Sequence, residues 1–476
     1  MLVYFRRIMN GPSKSSFDRR RFLQMSGASL AALGLGCSSE DDEEPVVTTP
    51  DFGIPTTAQA EAMLPASAVA QGVLEVFMMG GLSPWDSFYA VPEHGDPSRG
   101  GAFAGQQWWT WQEGEDSVGE VFARCGGGDL LQPFYQPTDG PTVFLGPWTK
   151  ALRDRPDILK RMRIVVLSHD LEPHEAAVPL CVAGHPRGSP RLASTGAHVQ
   201  RFLSDQFGRR TAPHSYVLFP SSDTVGNFNV EAAASLGGHP GYARPLSVAL
   251  RPNNPLPEQL TRSVLSGRAS EVDAAVDWYT RRMRQRLIPA GGIEPLHSAG
   301  LTRFADARAA LSSAPGLTTL LSPEVLAGMS GSACGFDAPV DRTELALRVG
   351  TQLLTSKTDT ARYVHVVDSG IKEANNGGYD THEHHVRDAS VSVTHLCRQL
   401  AANINAPGES DPAKLDLDRH MVALTTEMGR TPYPQLHSIR GLNHWPYGFV
   451  AVLIGGPVGE DQAGISGAIG EDGRAT

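Results

Sequence analysis

Short apolar runs recur along the chain, and each is followed by turn-forming or polar residues. The runs are rich in β-branched residues and are too short for helices, which predicts buried and mostly parallel strands. The predicted strands are 72–81, 163–169, 215–219, 363–370, 420–429 and 449–456.

Amphipathic stretches lie between several of these runs. Apolar residues recur at helical spacing over 341–356, at Leu345, Val349 and Leu353, and a similar pattern covers 386–404. Because predicted strands and helices alternate, we expect an α/β fold with a doubly wound, mostly parallel central sheet flanked by helices.

Two stretches break this alternation. Residues 95–150 are rich in Gly, Trp and Pro, and residues 251–330 are mainly helical in pattern. Both predict insertions at the sheet edge or over the site, rather than separate domains. We therefore expect one α/β domain over 72–476, with a loop at 464–476 after the last clear strand.

The beginning of the chain has the pattern of an export signal. Arg19 and Arg20 precede Phe22 and Leu23, and a short, weakly apolar stretch of small residues follows. This arrangement resembles a twin-arginine (Tat) signal peptide over 1–36, which implies the Tat translocase as a partner during export.

Cys37 stands where a lipoprotein signal is cleaved, and an acidic, Pro-containing tether follows over 37–71. The lipobox is imperfect, because Gly34 and Leu35 do not match its usual pattern. We expect a periplasmic protein held at the membrane only by lipidated Cys37. The alternative is cleavage nearby with Cys37 unmodified.

Charge and hydropathy exclude several classes of partner. The chain carries 41 basic and 51 acidic residues, for a net charge of −10, and has no long basic run after the signal. This balance argues against nucleic acid and against an anionic membrane surface as partners. No apolar run approaches the roughly 18 residues of a membrane span.

The cysteines do not have metal-site spacing. After Cys37 the chain has Cys125, Cys181, Cys334 and Cys397, with no CxxC pair, so a zinc–thiolate site is not expected. An oxidising compartment would allow two disulfides in any of three pairings. We expect Cys181 and Cys397 to be buried free thiols.

Polar residues follow the predicted strands, where the carboxyl ends of parallel strands form one crevice. Imidazole and carboxylate groups are the usual ligands of zinc, manganese or iron, so their clustering predicts a site for one or two divalent metal ions. The residues concerned are Asp86, His169, Asp170, His174, Glu175, Asp380, His382, His384, His385, Glu427 and His444.

The densest part of this set is the stretch "DTHEHH", residues 380–385. Asp380 and His382 alternate, so they point the same way on an extended segment, and His384 joins them if the extension persists. His385 is expected to face elsewhere and to cap or solvate the following helix.

Arg430, in "EMGRTP", fits two roles. Its guanidinium is able to bind an anionic substrate through two hydrogen bonds, which makes it a candidate catalytic residue. Alternatively, it forms a salt bridge that orients Glu427.

Several segments together resemble one family. They are "GGLSPWDSF", "EPHEAAVPLCVAGHPRGSPRLASTGAHV", "GGYDTHEHH", "TTEMGRTP" and "GLNHWPYGFVAVLIGGPV". From about residue 72 to its end, the chain resembles the sulfatase-like domain-of-unknown-function family of Tat-exported bacterial proteins in the alkaline phosphatase superfamily.

The resemblance implies an alkaline-phosphatase-like or sulfatase-like fold, a two-metal centre and hydrolysis of phosphate or sulfate esters. Two ions would clamp the attacking and leaving oxygens. Carried over by position, one ion would be held by Asp380, His444 and either His382 or His384, and the other by Glu427 and Asp86.

The sequence departs from that family at the nucleophile. Phosphatases of the superfamily place a Ser or Thr at a helix start, and the matching position here is Glu175, beside His174. Both resemble metal ligands, so we expect a metal-activated water to attack. The nearby hydroxyls are expected to cap helices and form turns. They are Ser168, Ser194 and Thr195.

The sequence thus favours an exported, metal-dependent hydrolase of phosphate or sulfate esters, acting on a small-molecule or polymer substrate. A non-catalytic surface protein that keeps the metal for structure or ligand binding is the alternative. A weaker alternative is a carbohydrate-binding protein that uses the Trp-rich stretch 108–111.

Overall fold

A computed structural model of the chain describes residues of the compact unit Glu61–Thr476. The predicted signal peptide, Cys37, nearly all of the tether and the Trp-rich stretch 108–111 lie outside the described residues. The described ranges are 70–95, 118–184, 193–207, 215–220, 230, 245–248, 269–287, 332–333, 336–337, 342–356, 361–371, 379–435 and 438–476.

The strands, in chain order, are β1 Gly72–Met78, β2 Gln132–Tyr135, β3 Val143–Leu145, β4 Met162–Leu167, β5 Tyr216–Phe219, β6 Leu246–Ser247, β7 Ser332–Ala333, β8 Phe336–Asp337, β9 Tyr363–Asp368, β10 His420–Thr425, β11 Gly429–Gln435, β12 Ser438–Trp445, β13 Phe449–Gly455 and β14 Gly464–Ser466. Eight of them form one central sheet in the order β14-β4-β13-β10-β1-β9-β5-β6. The pairs β2·β3, β7·β8 and β11·β12 form separate two-stranded sheets.

The central sheet is mostly parallel. Only β13 runs against its neighbours, β10 and β4, while the other adjacent strands pair in parallel. Each predicted strand is confirmed as a member of this sheet. The apolar runs form its interior strands because both faces of a parallel sheet are covered, and all seven residues of β1 are buried.

The helices are α1 Val118–Arg124, α2 Lys150–Arg153, α3 Pro156–Leu159, α4 His174–Ala183, α5 Thr195–Phe207, α6 Ala269–Leu287, α7 Arg342–Thr355 and α8 His385–Asn403. The two helices predicted from periodicity, over 341–356 and 386–404, are confirmed as α7 and α8. None of the described helices is both long and apolar enough to cross a bilayer.

Helices cover both faces of the sheet. On β1, Leu74 and Val76 belong to the large apolar cluster that includes side chains of α7 and α8. Phe77 belongs to a cluster with α4, and Val73 to a cluster with α5. Alternate residues of one strand therefore face different helical layers, as the period of a strand requires. The predicted α/β class with a mostly parallel sheet is confirmed.

The two predicted insertions are described to different extents. Within 95–150, the buried side chains of Val121, Phe122 and Trp148 join the large apolar cluster. Of 251–330, the described part is the helix α6. The expectation that 464–476 is only a loop is wrong, because Gly464–Ser466 adds an edge strand that pairs in parallel with β4.

Cys181 and Cys397 are free thiols, as predicted, but only Cys397 is fully buried and Cys181 is partly exposed. Burial raises the pKa of Cys181 to about 12, so its thiol stays protonated at neutral pH. Cys125 is in a disulfide whose partner lies outside the described residues.

Candidate metal centre

Polar residues gather at the edge of the sheet where the parallel strands end. β4 ends at Leu167, and His174 then opens α4. β9 ends at Asp368, and Asp380 follows it along the chain. His444 lies on β12, just before the antiparallel β13. These segments meet because the carboxyl ends of parallel strands share one edge.

Asp380 lies in the middle of this group. Its Oδ1 is 2.9 Å from His382 Nε2, 3.4 Å from His444 Nε2 and 3.6 Å from His174 Nε2. His382 Nε2 and His444 Nε2 are 3.1 Å apart. Ligand atoms of His174, Asp380 and His444 all lie within 4.8 Å of one another. We call these four residues the metal centre.

The spacing of these atoms fits a metal ion. Around a tetrahedral zinc ion with ligands at roughly 2.0–2.1 Å, neighbouring ligand atoms are about 3.3 Å apart. The distances from Asp380 Oδ1 lie on both sides of that value. Asp380 Oδ2 is also buried and accepts no hydrogen bond from the described residues, which is unfavourable for a carboxylate oxygen unless a cation satisfies it. A group of His and Asp in this arrangement is able to hold a divalent ion.

His174 is held by Glu427. The imidazole Nδ1 donates to Glu427 Oε1 at 2.8 Å, and the same oxygen accepts the Gly80 N–H at 2.7 Å. This leaves Nε2 as the ligand atom, on the side facing Asp380. A carboxylate that fixes the tautomer of a metal-binding histidine is a common second layer of a metal site. The structure therefore places Glu427 behind His174, instead of beside Asp86 as a ligand of a second ion.

Metal affinity is expected to rise with pH up to about pH 9. Burial alone would lower the pKa of His174, but Asp380 and Glu427 outweigh it and raise that pKa to about 9. Below this pH the incoming metal must displace a proton, so the Kd should rise about tenfold for each unit by which the pH is lowered. Zn²⁺ titration calorimetry at several pH values, in buffers with different ionisation enthalpies, measures the Kd and the number of protons released. An affinity that is flat between about pH 6 and 9 would contradict the prediction.

Asp380 is paired with Arg430. Burial would raise the pKa of Asp380, but the guanidinium and the three histidines outweigh it and hold that pKa far below its ordinary value. Arg430 is fully buried and also donates to the carbonyls of Gly80, Gly81 and Leu442. Its donors are thus directed at the protein rather than at a substrate. The structure corrects both sequence-based roles, because the residue that Arg430 orients is Asp380 and not Glu427.

A glycine turn after β1 makes this arrangement possible. Gly80 and Gly81 have φ values of 116° and 100°, a region that favours glycine. Their carbonyls point at Arg430, while the Gly80 N–H points at Glu427. This turn therefore fixes both Glu427, which bonds to His174, and Arg430, which bonds to Asp380.

His382 is held by Gln435 of β11. The imidazole Nδ1 donates to Gln435 Oε1 at 3.3 Å, and the Gln435 amide donates to the His382 carbonyl. Gly441 of β12 allows the close approach, because a Cβ there would lie 1.7 Å from the His382 carbonyl oxygen. Gln435 and Gly441 are not among the site residues predicted from the sequence. Neither has a sequence signal, because their roles depend on how the β11·β12 hairpin packs.

Behind the metal centre lies a buried chain of Thr381, His385 and Asp86. His385 Nε2 donates to Asp86 Oδ2, so its Nδ1 accepts from the Thr381 hydroxyl at 2.6 Å. All three residues are buried. The expectation that His385 caps or solvates the helix is wrong. Asp86 likewise bonds to His385, away from Glu427, so the pair expected for a second ion is not assembled.

Replacing Asp86 with asparagine is expected to destabilise the fold by about 1.5–3 kcal/mol, because a buried charge-assisted hydrogen bond to His385 is lost. Urea unfolding of the variant and the parent measures the change. Asp139→Asn, which removes an exposed carboxylate, is the control and should stay within about 0.5 kcal/mol. Equal midpoints for Asp86→Asn and the parent would contradict this role.

Besides Asp86 and Glu427, two more predicted ligands lie outside the metal centre. Glu175 is the second residue of α4, and its side chain is exposed while the neighbouring His174 is buried. His384 lies at the N-cap of α8, and its Nδ1 has no hydrogen-bond partner in the described part of the chain. Side chains at adjacent positions of a helix or turn diverge, so these residues do not share the direction of His174 or His382.

The candidate hydroxyls and the remaining polar residues have other surroundings. Ser194 accepts the Ala197 N–H at 3.2 Å and so caps α5, as predicted. Ser168 and Thr195 are exposed. His169 Nδ1 accepts the Leu171 N–H, so its Nε2 donates to the Glu427 carbonyl at 2.6 Å. This bond helps to fix the position of Glu427 through its main-chain carbonyl. The neighbouring Asp170 is exposed.

The fold and this group of side chains define an α/β protein with a candidate metal centre at the carboxyl edge of its central sheet. Among the described residues, His174, Asp380 and His444 are the set whose geometry suits an ion. No protein-family model and no curated protein matches the chain.

Proposed function

We propose that this chain is a metal-dependent hydrolase of phosphate or sulfate esters, acting on a small-molecule or polymer substrate. The observation that carries the proposal is the convergence of three imidazole Nε2 atoms on Asp380 at spacings that suit a divalent ion. The ester class comes from the resemblance to sulfatase-like proteins. A zinc or manganese ion fits the donor set.

The residues of the chain prepare this site before any substrate arrives. A divalent ion bound there would polarise an ester oxygen and lower the pKa of a coordinated water. Glu427 fixes the direction of His174, and Arg430 balances the charge of Asp380. His382 and His444 are partly exposed, so they form the side of the site that a substrate reaches from solvent.

Attack by water, and not by a side chain, fits the surroundings of the described hydroxyls. Thr381 lies between Asp380 and His382, but its hydroxyl donates to His385 on the buried side. Ser194 caps a helix away from the metal centre. Direct attack by water inverts the configuration at phosphorus, whereas a covalent intermediate retains it. A chiral phosphate ester would therefore test this part of the proposal, and trapping of a phosphorylated Ser or Thr would contradict it.

We also propose that the protein is exported by the Tat translocase and anchored by lipidated Cys37. The disulfide of Cys125 supports this, because disulfides persist in oxidising compartments. Changing Arg19 and Arg20 to lysine should leave the precursor in the cytoplasm. Palmitate labelling should disappear in Cys37→Ser. Unimpaired export, or a parent protein that never takes the label, would contradict the respective part.

A non-catalytic metal protein is the second candidate, and His382 is the observation that favours it. Four protein ligands close a zinc site, whereas a catalytic site keeps one position for water or substrate. If His382 stays bound throughout, the metal centre is structural.

The deciding experiment combines metal analysis with an ester screen. Purified protein should contain about one zinc or manganese ion per chain, and should hydrolyse at least one phosphate or sulfate monoester or diester. Chelation should remove the activity, and the same ion should restore it. His444→Ala should lose both metal and activity, while His384→Ala, the matched control, should keep both. A metal-loaded protein that cleaves none of these esters would favour the second candidate.

A further inference from the structure

The four residues of the metal centre are held with unequal firmness. His174 and Asp380 expose only 6% and 1% of their side chains. Each is bonded to a fully buried, charged partner, Glu427 and Arg430 respectively. Hydrogen bonds to charged groups are about twice as strong as neutral ones, so these two ligands are fixed in place.

His382 is held more loosely. Its side chain is 23% exposed, and its Nδ1 bonds to a neutral amide oxygen of Gln435 at 3.3 Å. Gln435 is itself partly exposed and lies at an irregularity in the β11·β12 pairing. A long hydrogen bond to a neutral, partly exposed group restrains an imidazole less than a short bond to a buried carboxylate.

The position of His382 also differs. His174, Asp380 and His444 have ligand atoms within 4.8 Å of one another without it. His382 approaches this core from the exposed side, where it is close to Asp380 and His444. His382 therefore lies, with the similarly exposed His444, on the side from which a substrate would come.

We propose that His382 is a displaceable fourth ligand, which closes the metal centre at rest and gives up its place to an oxyanion of the phosphate or sulfate class. This inference rests on the proposed function, because a hydrolytic metal needs one open position. Displacement of His382 reconciles that need with the presence of a fourth protein ligand in the metal centre.

The charges of the site favour an anion in that place. Asp380 and Glu427 are two carboxylates, Arg430 supplies one positive charge, and the ion would supply two. One positive charge therefore remains in a partly desolvated site, where electrostatic attraction exceeds that in water.

X-ray absorption spectroscopy of the Zn²⁺-loaded protein tests the proposal, with inorganic phosphate as the probe. The imidazole count at zinc should be three without phosphate and two with saturating phosphate. In His382→Ala it should be two in both conditions, and phosphate should bind about tenfold more tightly because no competing ligand has to leave. Absorption spectra of the Co²⁺-loaded proteins give an independent record of the same change.

Two further variants complete the test. His384→Ala is the matched control, since it removes a neighbouring imidazole outside the metal centre, and it should behave like the parent. His382→Gln repeats the measurement with a side chain of similar length, and near-UV circular dichroism checks that both His382 variants are folded.

Each outcome distinguishes the inference from the proposed function. A parent protein that binds neither Zn²⁺ nor Co²⁺ would defeat the proposed function. A metal-loaded parent that keeps three imidazoles at saturating phosphate, or that binds no phosphate, would overturn only the displacement of His382. Complete loss of metal in folded His382→Ala and His382→Gln would also overturn it, because a ligand that can leave cannot be essential.

Discussion

Replacing Asp380 with alanine is expected to lower the affinity for Zn²⁺ by more than about 100-fold. Losing a residue that only orients a ligand typically costs about 10–100-fold in metal affinity, and Asp380 is the direct neighbour of all three imidazoles. Its removal also leaves Arg430 as an unbalanced charge beside the ion. Calorimetry or competition with a chromogenic chelator measures the affinity.

Glu175→Ala is the matched control for Asp380→Ala. Both changes remove a carboxylate that the sequence suggests as a ligand, but Glu175 is exposed on α4. Its removal should change the affinity by less than about threefold, since an exposed charge is strongly screened. Similar losses in the two variants would mean that the ion lies closer to Glu175 than the metal centre described above allows.

Replacing Arg430 with methionine is expected to destabilise the metal-free protein by about 3–5 kcal/mol. The side chain is fully buried, and its loss removes the buried guanidinium that balances the carboxylate of Asp380. Urea unfolding in the presence of a chelator measures the change. Metal should partly rescue the variant, because a divalent ion supplies the missing positive charge.

A double variant distinguishes the contribution of the Asp380–Arg430 ion pair to stability from that of side-chain packing. Asp380→Asn combined with Arg430→Met removes both charges, so it should be more stable than Arg430→Met alone. Arg153→Met is a second control, because Arg153 is also buried but donates to main-chain carbonyls, including that of Leu145. It should lose stability without changing metal affinity. Additive losses in the double variant would contradict the pairing of Asp380 with Arg430.

The central sheet could be predicted because burial on both faces leaves a continuous apolar run in the sequence. The run at 72–81 shows this, since every residue of β1 is buried. The edge strand Gly464–Ser466 left no such run, because it is short, its pattern is glycine-rich, and only one of its residues is buried. Its pairing with β4 is set by the rest of the sheet, and not by its own composition.

The place of the metal centre could be predicted, but the direction of its side chains could not. Parallel strands bring Asp380 and His174 to one edge, and that follows from strand order alone. His385 faces away from His382 because α8 begins at His385, and this difference in direction was predicted. What His385 meets there, Asp86, depends on a contact between segments 299 positions apart. Such contacts have no local signal.

The roles of Glu427 and Arg430 show the same limit. Glu427 follows the end of β10 and Arg430 lies at the start of β11, where a ligand and an anion-binding residue were expected. The glycine turn at Gly80 and Gly81 directs both side chains inward, toward His174 and Asp380. Two adjacent glycines mark a turn in the sequence, but they do not show which distant side chains that turn will hold.

The ligands of the metal centre come from three segments, around His174, Asp380 and His444, that are far apart in the chain. An unfolded chain therefore offers no preformed site, and a bound ion would act as a crosslink that only the folded state possesses. The compartment in which the chain folds, and not the one in which it works, would then decide which metal it acquires. If the protein crosses the membrane folded, as the Tat route requires, it would carry its ion out of the cytoplasm with it.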